Sequence, residues 1–246
     1  MNTVLGLIIL YTYQDLSKDI NYTISKYIID NLTQFLDMSM TDLSKNCFVS
    51  TTSIKKYYQS LGFNSYSKYK KYLKTSLNTR ILQIHSRYKT MNQEEWYKQL
   101  LFFYTEEELH TLDNNINDLI TKIQNHKSLS IIGSISSNMI IQSFVEDMII
   151  MGKPVHIHNI NYNYTTDELD NLTLFITLSG RLITTYPQKY QEVTSNIKDL
   201  VLITTDTHYP SLLPHKTLKG ESSDLILLCL FMIIKIKYAK VSPLNI

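Results

Sequence analysis

The pattern of hydrophobic and polar positions changes once along the chain. Up to about residue 126, apolar residues recur every three or four positions, which is the spacing of amphipathic helices. After residue 128, short apolar runs alternate with helical stretches, the order typical of β-α-β units in a parallel sheet. The sequence therefore predicts an all-α N-terminal domain followed by an α/β domain.

The N-terminal pattern contains clear helix starts and stops. The expected helices cover residues 23–36, 40–46, 51–60 and 66–77. Ser39 opens a capping-box arrangement ahead of the second helix, and Ser50 stands where the third helix needs an N-cap. Phe48 and Val49 form the turn between these two helices, and Gly62 ends the third helix as a C′ glycine does.

The third helix has one apolar face and one polar face. Ile54, Tyr57 and Tyr58 point inward, and the tyrosines of this region are expected in the core or at its rim. Three short helices with a turn before a polar third helix form a helix-turn-helix, whose third helix lies in the major groove of DNA. There, Ser, Thr and Lys side chains reach base edges while neighbouring lysines hold phosphates. The residues expected to contact DNA are Ser50, Thr51, Thr52, Ser53, Lys55, Lys56, Lys68 and Lys71.

The distribution of charge favours a polyanion as partner. Residues 1–89 hold 12 Lys and Arg against 5 Asp and Glu, whereas residues 90–246 hold 12 against 17, so the net charge of +2 conceals a basic first third. Positive charge concentrated in one domain is the electrostatic footprint of a nucleic-acid binder. On charge alone, a solvated lysine-rich surface remains an equal alternative.

Composition excludes several classes of protein. Hydrophobic residues at 43% and charged residues at 19% are close to ordinary globular values, which excludes disorder, collagen and coiled-coil arrays. The apolar runs at 4–10 and 225–234 are shorter than the roughly 20 residues that cross a bilayer, and the first lacks the basic start of a secretory signal. A cytoplasmic location is expected. Cys47 and Cys229 lie within apolar patterns and are expected to be buried, which excludes a disulfide scaffold and Cys-ligated zinc.

The C-terminal pattern predicts a parallel sheet with helices on both faces, because each strand is almost continuously hydrophobic. The expected strands are 129–133, 154–158, 172–177 and 200–204, and the expected helices are 138–151, 182–197 and 221–240. Residues 92–126 keep helical spacing and are interpreted as connecting helices. The predicted division is a helix-turn-helix DNA-binding domain at 1–80, a connecting helical segment at 81–104 and an α/β domain at 105–246.

A family resemblance supports the N-terminal interpretation. The run VSTTSIKKYYQSLGFNSYSKYKKYL, from Val49 to Leu73, resembles the N-terminal domain of RpiR/MurR-type transcriptional regulators. With the preceding TISKYIIDNLTQFLDMSMTDLSKNC, the resemblance covers residues 23–75. Lys56 stands where the family usually has Arg, which keeps the charge but gives up bidentate contact with guanine. The resemblance implies a regulator that binds double-stranded operator DNA as a homodimer or higher homo-oligomer, and not an enzyme.

In that family the second domain is a sugar isomerase (SIS) domain, a doubly wound parallel α/β sheet that binds a phosphosugar, and the C-terminal part resembles one. The family has Gly-x-Gly-x-Ser after the first strand, where this chain reads GSISS at 133–137. After the third strand it has Ser-x-Ser-Gly and then Thr, where this chain reads TLSGRL at 177–182. The ligand-binding residues implied are Gly133, Ser134, Ser136, Ser137, Thr177, Ser179, Gly180 and Arg181.

Alternatives remain open for the C-terminal domain. Residues 134–137 also suit a plain strand-to-helix turn with an N-cap. Ile135 and Leu182 depart from the family pattern, which favours a domain used only for oligomerisation. A third alternative is a phosphosugar isomerase-type enzyme, whose general base would be His215 or Glu221.

No motif indicates a cofactor or a metal. His156 and His158 alternate with apolar residues and share one face of a strand, but without a third ligand they are expected to be hydrogen-bonded structural residues.

Overall fold

The computed structural model of the protein describes residues 3–13, 18–161, 165–214 and 222–242. Helices fill the described chain up to residue 125. They are α1 (Thr3–Tyr13), α2 (Ile20–Asp30), α3 (Leu32–Phe35), α4 (Met40–Asn46), α5 (Thr51–Ser60), α6 (Tyr66–Thr90), α7 (Glu94–Leu100) and α8 (Glu106–Asn125). Within the described ranges, no helix is both long enough and apolar enough to cross a membrane.

Capping side chains set the ends of the two central helices. α4 and α5 have the predicted bounds. Ser39 accepts a hydrogen bond from the backbone N–H of Asp42, and Ser50 accepts one from the backbone N–H of Ser53. Gly62 follows α5 with a φ of +89°, which confirms the C′ glycine.

Two N-terminal helices differ from the prediction. The helix expected over 23–36 breaks at Asn31, because the Asn31 side-chain amide donates to the Tyr27 carbonyl and the Asn31 backbone leaves the helical range. The helix expected to end at residue 77 continues to Thr90, because Ile84 and Tyr88 extend its buried stripe.

The C-terminal part is a parallel sheet with strand order β2-β1-β3-β4. The strands are β1 (Leu129–Gly133), β2 (Val155–Asn159), β3 (Leu172–Ile176) and β4 (Asp199–Ile203), each within one residue of its predicted ends. The helices are α9 (Ile135–Ile140), α10 (Gln142–Ile150), α11 (Arg181–Thr185), α12 (Pro187–Asn196) and α13 (Ser222–Val241). The helix expected over 182–197 is interrupted at Tyr186, because a residue before proline avoids the α conformation.

Helices cover both faces of the sheet, as predicted. Ile131 and Leu174 join the larger core, to which α8, α10 and α13 contribute, whereas Ile132 and Phe175 pack in a smaller core with residues of α11 and α12. The chain winds from β1 to β2 in one direction and from β3 to β4 in the other. The direction of winding therefore reverses between β1 and β3, and ligands of such sheets bind at the carboxyl ends of strands at this switch point.

The N-terminal helices pack directly on the sheet. α1 lies against α2, β2 and α10 and buries Leu5 and Ile8 completely. α6 crosses residue 80 without a break and contacts both α10 and α13. One continuous hydrophobic core therefore includes residues from both parts of the chain. The division at residues 80 and 104 remains a prediction.

Candidate functional site

The outer face of α5 presents the side chains expected to contact DNA. Thr51, Thr52, Lys55 and Lys56 are exposed, while the opposite face of the helix is buried in the core. The exposed Ser50 holds the first turn of α5 by capping it. Ser53 is half-buried, and its hydroxyl lies 2.9 Å from that of Ser50. Burial on one side therefore fixes which polar groups face outward.

Two lysines of α5 and two of α6 keep their charge available. Lys55, Lys56, Lys68 and Lys71 are exposed, and none of them is in an ion pair with another described residue. Lys70 differs, since its ammonium donates to the Met38 carbonyl at 2.6 Å. The four lysines have no internal partner in the described chain and can therefore neutralise phosphates.

The structure brings most of the predicted ligand residues into one cleft at the carboxyl ends of β1 and β3. The cleft has a volume of about 350 Å³, within the range of small-ligand sites. Six of the eight predicted residues line it, namely Ser134, Ser136, Ser137, Thr177, Ser179 and Arg181. The cleft therefore lies at the topological switch point of the sheet, where a ligand is expected.

Internal hydrogen bonds hold the two loops of the cleft. Ser134 Oγ accepts the backbone N–H of Ser137 at 3.2 Å and lies 2.9 Å from Ser136 Oγ. Thr177 Oγ1 accepts the backbone N–H of Leu182 at 3.0 Å. The plain N-cap interpretation of the first loop is therefore correct as local structure, and the same loop also lines the cleft.

Charges of both signs border the cleft. Arg181 is exposed at its edge beside the exposed Ser179, and no described carboxylate pairs with the guanidinium of Arg181. Asp224, near the start of α13, lines the same cleft. A ligand that fills the cleft therefore meets a cation at one place and a carboxylate at another.

Two glycines shape the cleft without lining it. Gly180 has a φ of +70°, and a Cβ atom there would overlap the side chain of Asp206. A Cβ atom on Gly133 would come within 2.7 Å of both Ser137 Oγ and Asn138 Oδ1. Both glycines are explained by close backbone approach, and direct ligand contact by either remains a prediction.

Sequence patterns did not single out several residues of the cleft. Leu182, noted above as a departure from the family pattern, lines it, and so do Ile176, Leu178, Asp224 and Leu227, which no pattern marked. Asp224 belongs to a helix 47 positions beyond Thr177, and no local motif marks it. His215 and Glu221, the bases considered for an isomerase, lie outside the described residues.

A histidine joins the N-terminal helices to the sheet. His156 of β2 lies with Nε2 2.5 Å from Asp30 Oδ1 of α2 and with Nδ1 2.7 Å from Asp170 Oδ2. Burial of the ring opposes its charge, but the hydrogen bonds to Asp170 and Asp30 outweigh that effect and raise the pKa of His156 to about 8. The expectation that His156 is a hydrogen-bonded structural residue is confirmed, and its partner on α2 is new information.

A buried carboxylate makes a second connection. Asp147 of α10 is fully buried and accepts hydrogen bonds from Arg80 of α6 at 2.7 Å, from Lys235 of α13 at 3.1 Å and from the Tyr88 hydroxyl. Burial lowers the pKa of Lys235, and the negative charge of Asp147 offsets part of this lowering. The α6 helix is thereby fixed to the sheet domain by charge as well as by packing.

These features define a helix-turn-helix DNA-binding module packed on a parallel α/β sheet with a cleft at its switch point. Residues 5–80 match the family model of the helix-turn-helix domain of the rpiR family. The match includes most of α1 as well as the stretch from residue 23.

Among solved structures, the chain is similar to the Vibrio vulnificus NanR protein complexed with ManNAc-6P. The similarity has a TM-score of 0.40 and 14% sequence identity, and it covers 95% of this chain and 91% of that chain. None of the curated proteins compared with the chain matches it.

Proposed function

We propose that the protein is a transcriptional regulator that binds operator DNA through α5 and binds a phosphorylated sugar in the cleft between β1 and β3. The observation that carries the DNA-binding half is the exposed polar face of α5, together with the available lysines of α5 and α6, in a part of the chain that matches the rpiR-family domain. Hydroxyls at the start of such a helix contact base edges, and lysines contact phosphates.

DNA binding by a dimer follows from the size of the module. A single short reading helix makes few base contacts, and two half-sites about 34 Å apart double them. The operator is then a palindrome. Selection of bound fragments from random-sequence duplex DNA, followed by footprinting, tests this. Recovery of sites without two-fold symmetry, or of no duplex, would contradict it.

The cleft has the chemical groups that a sugar phosphate requires. Arg181 supplies a cation for the phosphate, and the exposed hydroxyls of Ser136 and Ser179 supply hydrogen-bond donors. Asp224 is an acceptor for sugar hydroxyls. A simple anion such as sulfate would gain nothing from Asp224, so a ligand with both a phosphate and hydroxyls suits the cleft better.

Regulation requires that the sugar phosphate bind two states of the protein differently, with a coupling free energy of about 1–3 kcal/mol. The contacts of Asp30 with His156 and of Arg80 with Asp147 connect the DNA-binding helices to the sheet that carries the cleft. A ligand that shifts the sheet would therefore change the position of α2 or α6, and with them the position of α5.

A thermal-shift screen of the full chain against sugar phosphates tests the effector. A ligand at a hundredfold excess over its Kd stabilises the protein by about 2.7 kcal/mol, and the matching free sugar should stabilise it much less. The rival function is a sheet domain that serves oligomerisation only. The apolar side chains of Ile135, which is 53% exposed, and of Leu182 in the cleft favour it. A broad panel without any shift would support that rival.

A further inference from the structure

The turn between α4 and α5 has a phenylalanine at a position where two other described helices, α5 and α10, have a glycine. α4 ends in a Schellman motif, in which the N–H groups of Phe48 and Val49 donate to carbonyls of the last turn of the helix. Phe48 occupies the left-handed position of this motif, with a φ of +55°. α5 and α10 end with the same hydrogen bonds, and their left-handed residues are Gly62 and Gly152.

Among the described residues, the Phe48 side chain has no packing contact that would offset this strain. A bulky side chain with positive φ is an outlier, because its Cβ atom crowds the following carbonyl oxygen. The Phe48 side chain is 96% exposed, and it lies outside the described core clusters and ring contacts. The residue thus combines backbone strain with apolar surface left in water, which points to a contact made outside the folded chain.

The position of Phe48 identifies the partner. Phe48 lies two residues before Ser50, the N-cap of α5, and the N-terminal end of a reading helix is the end that contacts base edges. The exposed ammonium groups of Lys45, Lys55 and Lys56 belong to the same two helices and favour a polyanion over an apolar protein surface.

The major groove of DNA offers one apolar group, the C5-methyl of thymine. We propose that Phe48 packs against the C5-methyl group of a thymine in each operator half-site and adds a thymine preference to the polar readout by α5. This inference rests on the proposed DNA-binding function.

Removal of the methyl group alone tests the contact. The DNA is a duplex selected from random sequence by the full wild-type chain, in which thymines are replaced one at a time by deoxyuridine. Wild-type protein is expected to lose about fourfold in affinity at one position of each half-site, the value of one buried methyl group. The Phe48→Gly variant is expected to bind the thymine duplex more weakly and to show no further loss at that position, since both changes remove the same contact.

Thermal stability separates this role from a structural one. Glycine is unstrained at this φ, so Phe48→Gly is expected to raise the Tm by about 2–4 °C while it lowers DNA affinity. Asparagine also tolerates the left-handed conformation, so Phe48→Asn should lose affinity without a fall in Tm. Phe102, whose side chain is 81% exposed outside the helix-turn-helix, provides the matched control, and Phe102→Ala should leave DNA affinity unchanged.

The outcomes distinguish this inference from the proposed function. If the wild-type chain selects no duplex, the DNA-binding function itself is wrong. If it selects a duplex and Phe48→Gly binds that duplex as tightly as wild type, only the role of Phe48 is wrong. The proposal is also overturned by an equal loss at every uridine, by a fall in the Tm of Phe48→Gly, or by a changed oligomeric state of the free variant. The first result would mean that the ring contacts the DNA backbone, the second that it stabilises the fold, and the third that it contacts a second copy of the chain.

Discussion

The ion pairs of His156 with Asp170 and Asp30 should make the stability of the protein fall as the pH rises through 8. His156 is about 10% exposed and lies between two carboxylates, Asp30 from α2 and Asp170. Lys26 of α2 is also near the ring, 3.3 Å from Nε2, and its charge opposes protonation of His156. The carboxylates prevail, so the histidine is charged in the folded protein at neutral pH.

The magnitude follows from the two pKa values of His156. Its pKa is about 8 in the folded protein against 6.5 for the free side chain, and each unit of difference corresponds to about 1.36 kcal/mol. The pKa is raised on folding, so the stabilisation of about 2 kcal/mol is complete below pH 6.5 and is lost as the pH rises from 6.5 through about 8. For a chain of this size the loss corresponds to a Tm lower by roughly 4–8 °C.

Denaturation of wild type and of His156→Gln between pH 6 and pH 9 measures the pH-dependent contribution of His156 to the free energy of unfolding. The difference in unfolding free energy between the two proteins should shrink across that range, because glutamine does not titrate. His110→Gln, at an exposed position on α8, is the matched control and should follow wild type. Parallel profiles for wild type and His156→Gln would refute the ion pair between α2 and β2.

Further predictions concern both sites and the buried charges. Lys55→Ala and Lys56→Ala should each reduce the salt dependence of DNA binding by about one unit of slope, which titrations at several salt concentrations measure; unchanged slopes would place both side chains away from phosphates. Thr52→Ala should change the preferred sequence with little change in slope, as a repeated selection from random DNA would reveal. Asp147→Ala should destabilise the protein by about 3–5 kcal/mol in urea, since it leaves buried cations unpaired, and a loss below about 1 kcal/mol would contradict that burial. Ser179→Ala should weaken sugar-phosphate binding about tenfold or more without a lower Tm of the free protein, and an unchanged Kd would remove Ser179 from the site.

The sequence predicted those features that short-range signals determine. The caps at Ser39 and Ser50 and the glycine at position 62 fix the helix-turn-helix, and each acts within a few residues of itself. Continuous apolar runs marked the four strands. The cleft was also predictable, because carboxyl ends of neighbouring parallel strands meet at one edge of a sheet.

Features that depend on residues far apart in the chain were not predictable. Asp30 and His156 are 126 positions apart, and neither has a pattern that points to the other. Asp147 lies among the buried residues of α10, where nothing in the local sequence explains a charge. The explanation is its contact with Arg80 and Lys235, which are distant in the chain. The break at Asn31 depends on its side-chain amide, which donates to the backbone carbonyl of Tyr27. An asparagine can either stay within a helix or end it in this way, so the residue type alone does not predict the break.

The two connections between the DNA-binding helices and the sheet differ in how readily they can change. To separate Asp147 from its partners would leave fully buried charges unpaired, which costs several kcal/mol and exceeds the 1–3 kcal/mol of a typical allosteric coupling. The side chain of Asp30 is already 32% exposed, and His156 would keep its pair with Asp170 if Asp30 moved away, so a ligand can offset the loss of this contact more readily. His156 lies on β2, which is next to β1 in the sheet. The carboxyl end of β1 forms part of the cleft. A change transmitted from the cleft to α5 should therefore open or close the contact of α2 with β2, while α6 remains fixed on Asp147.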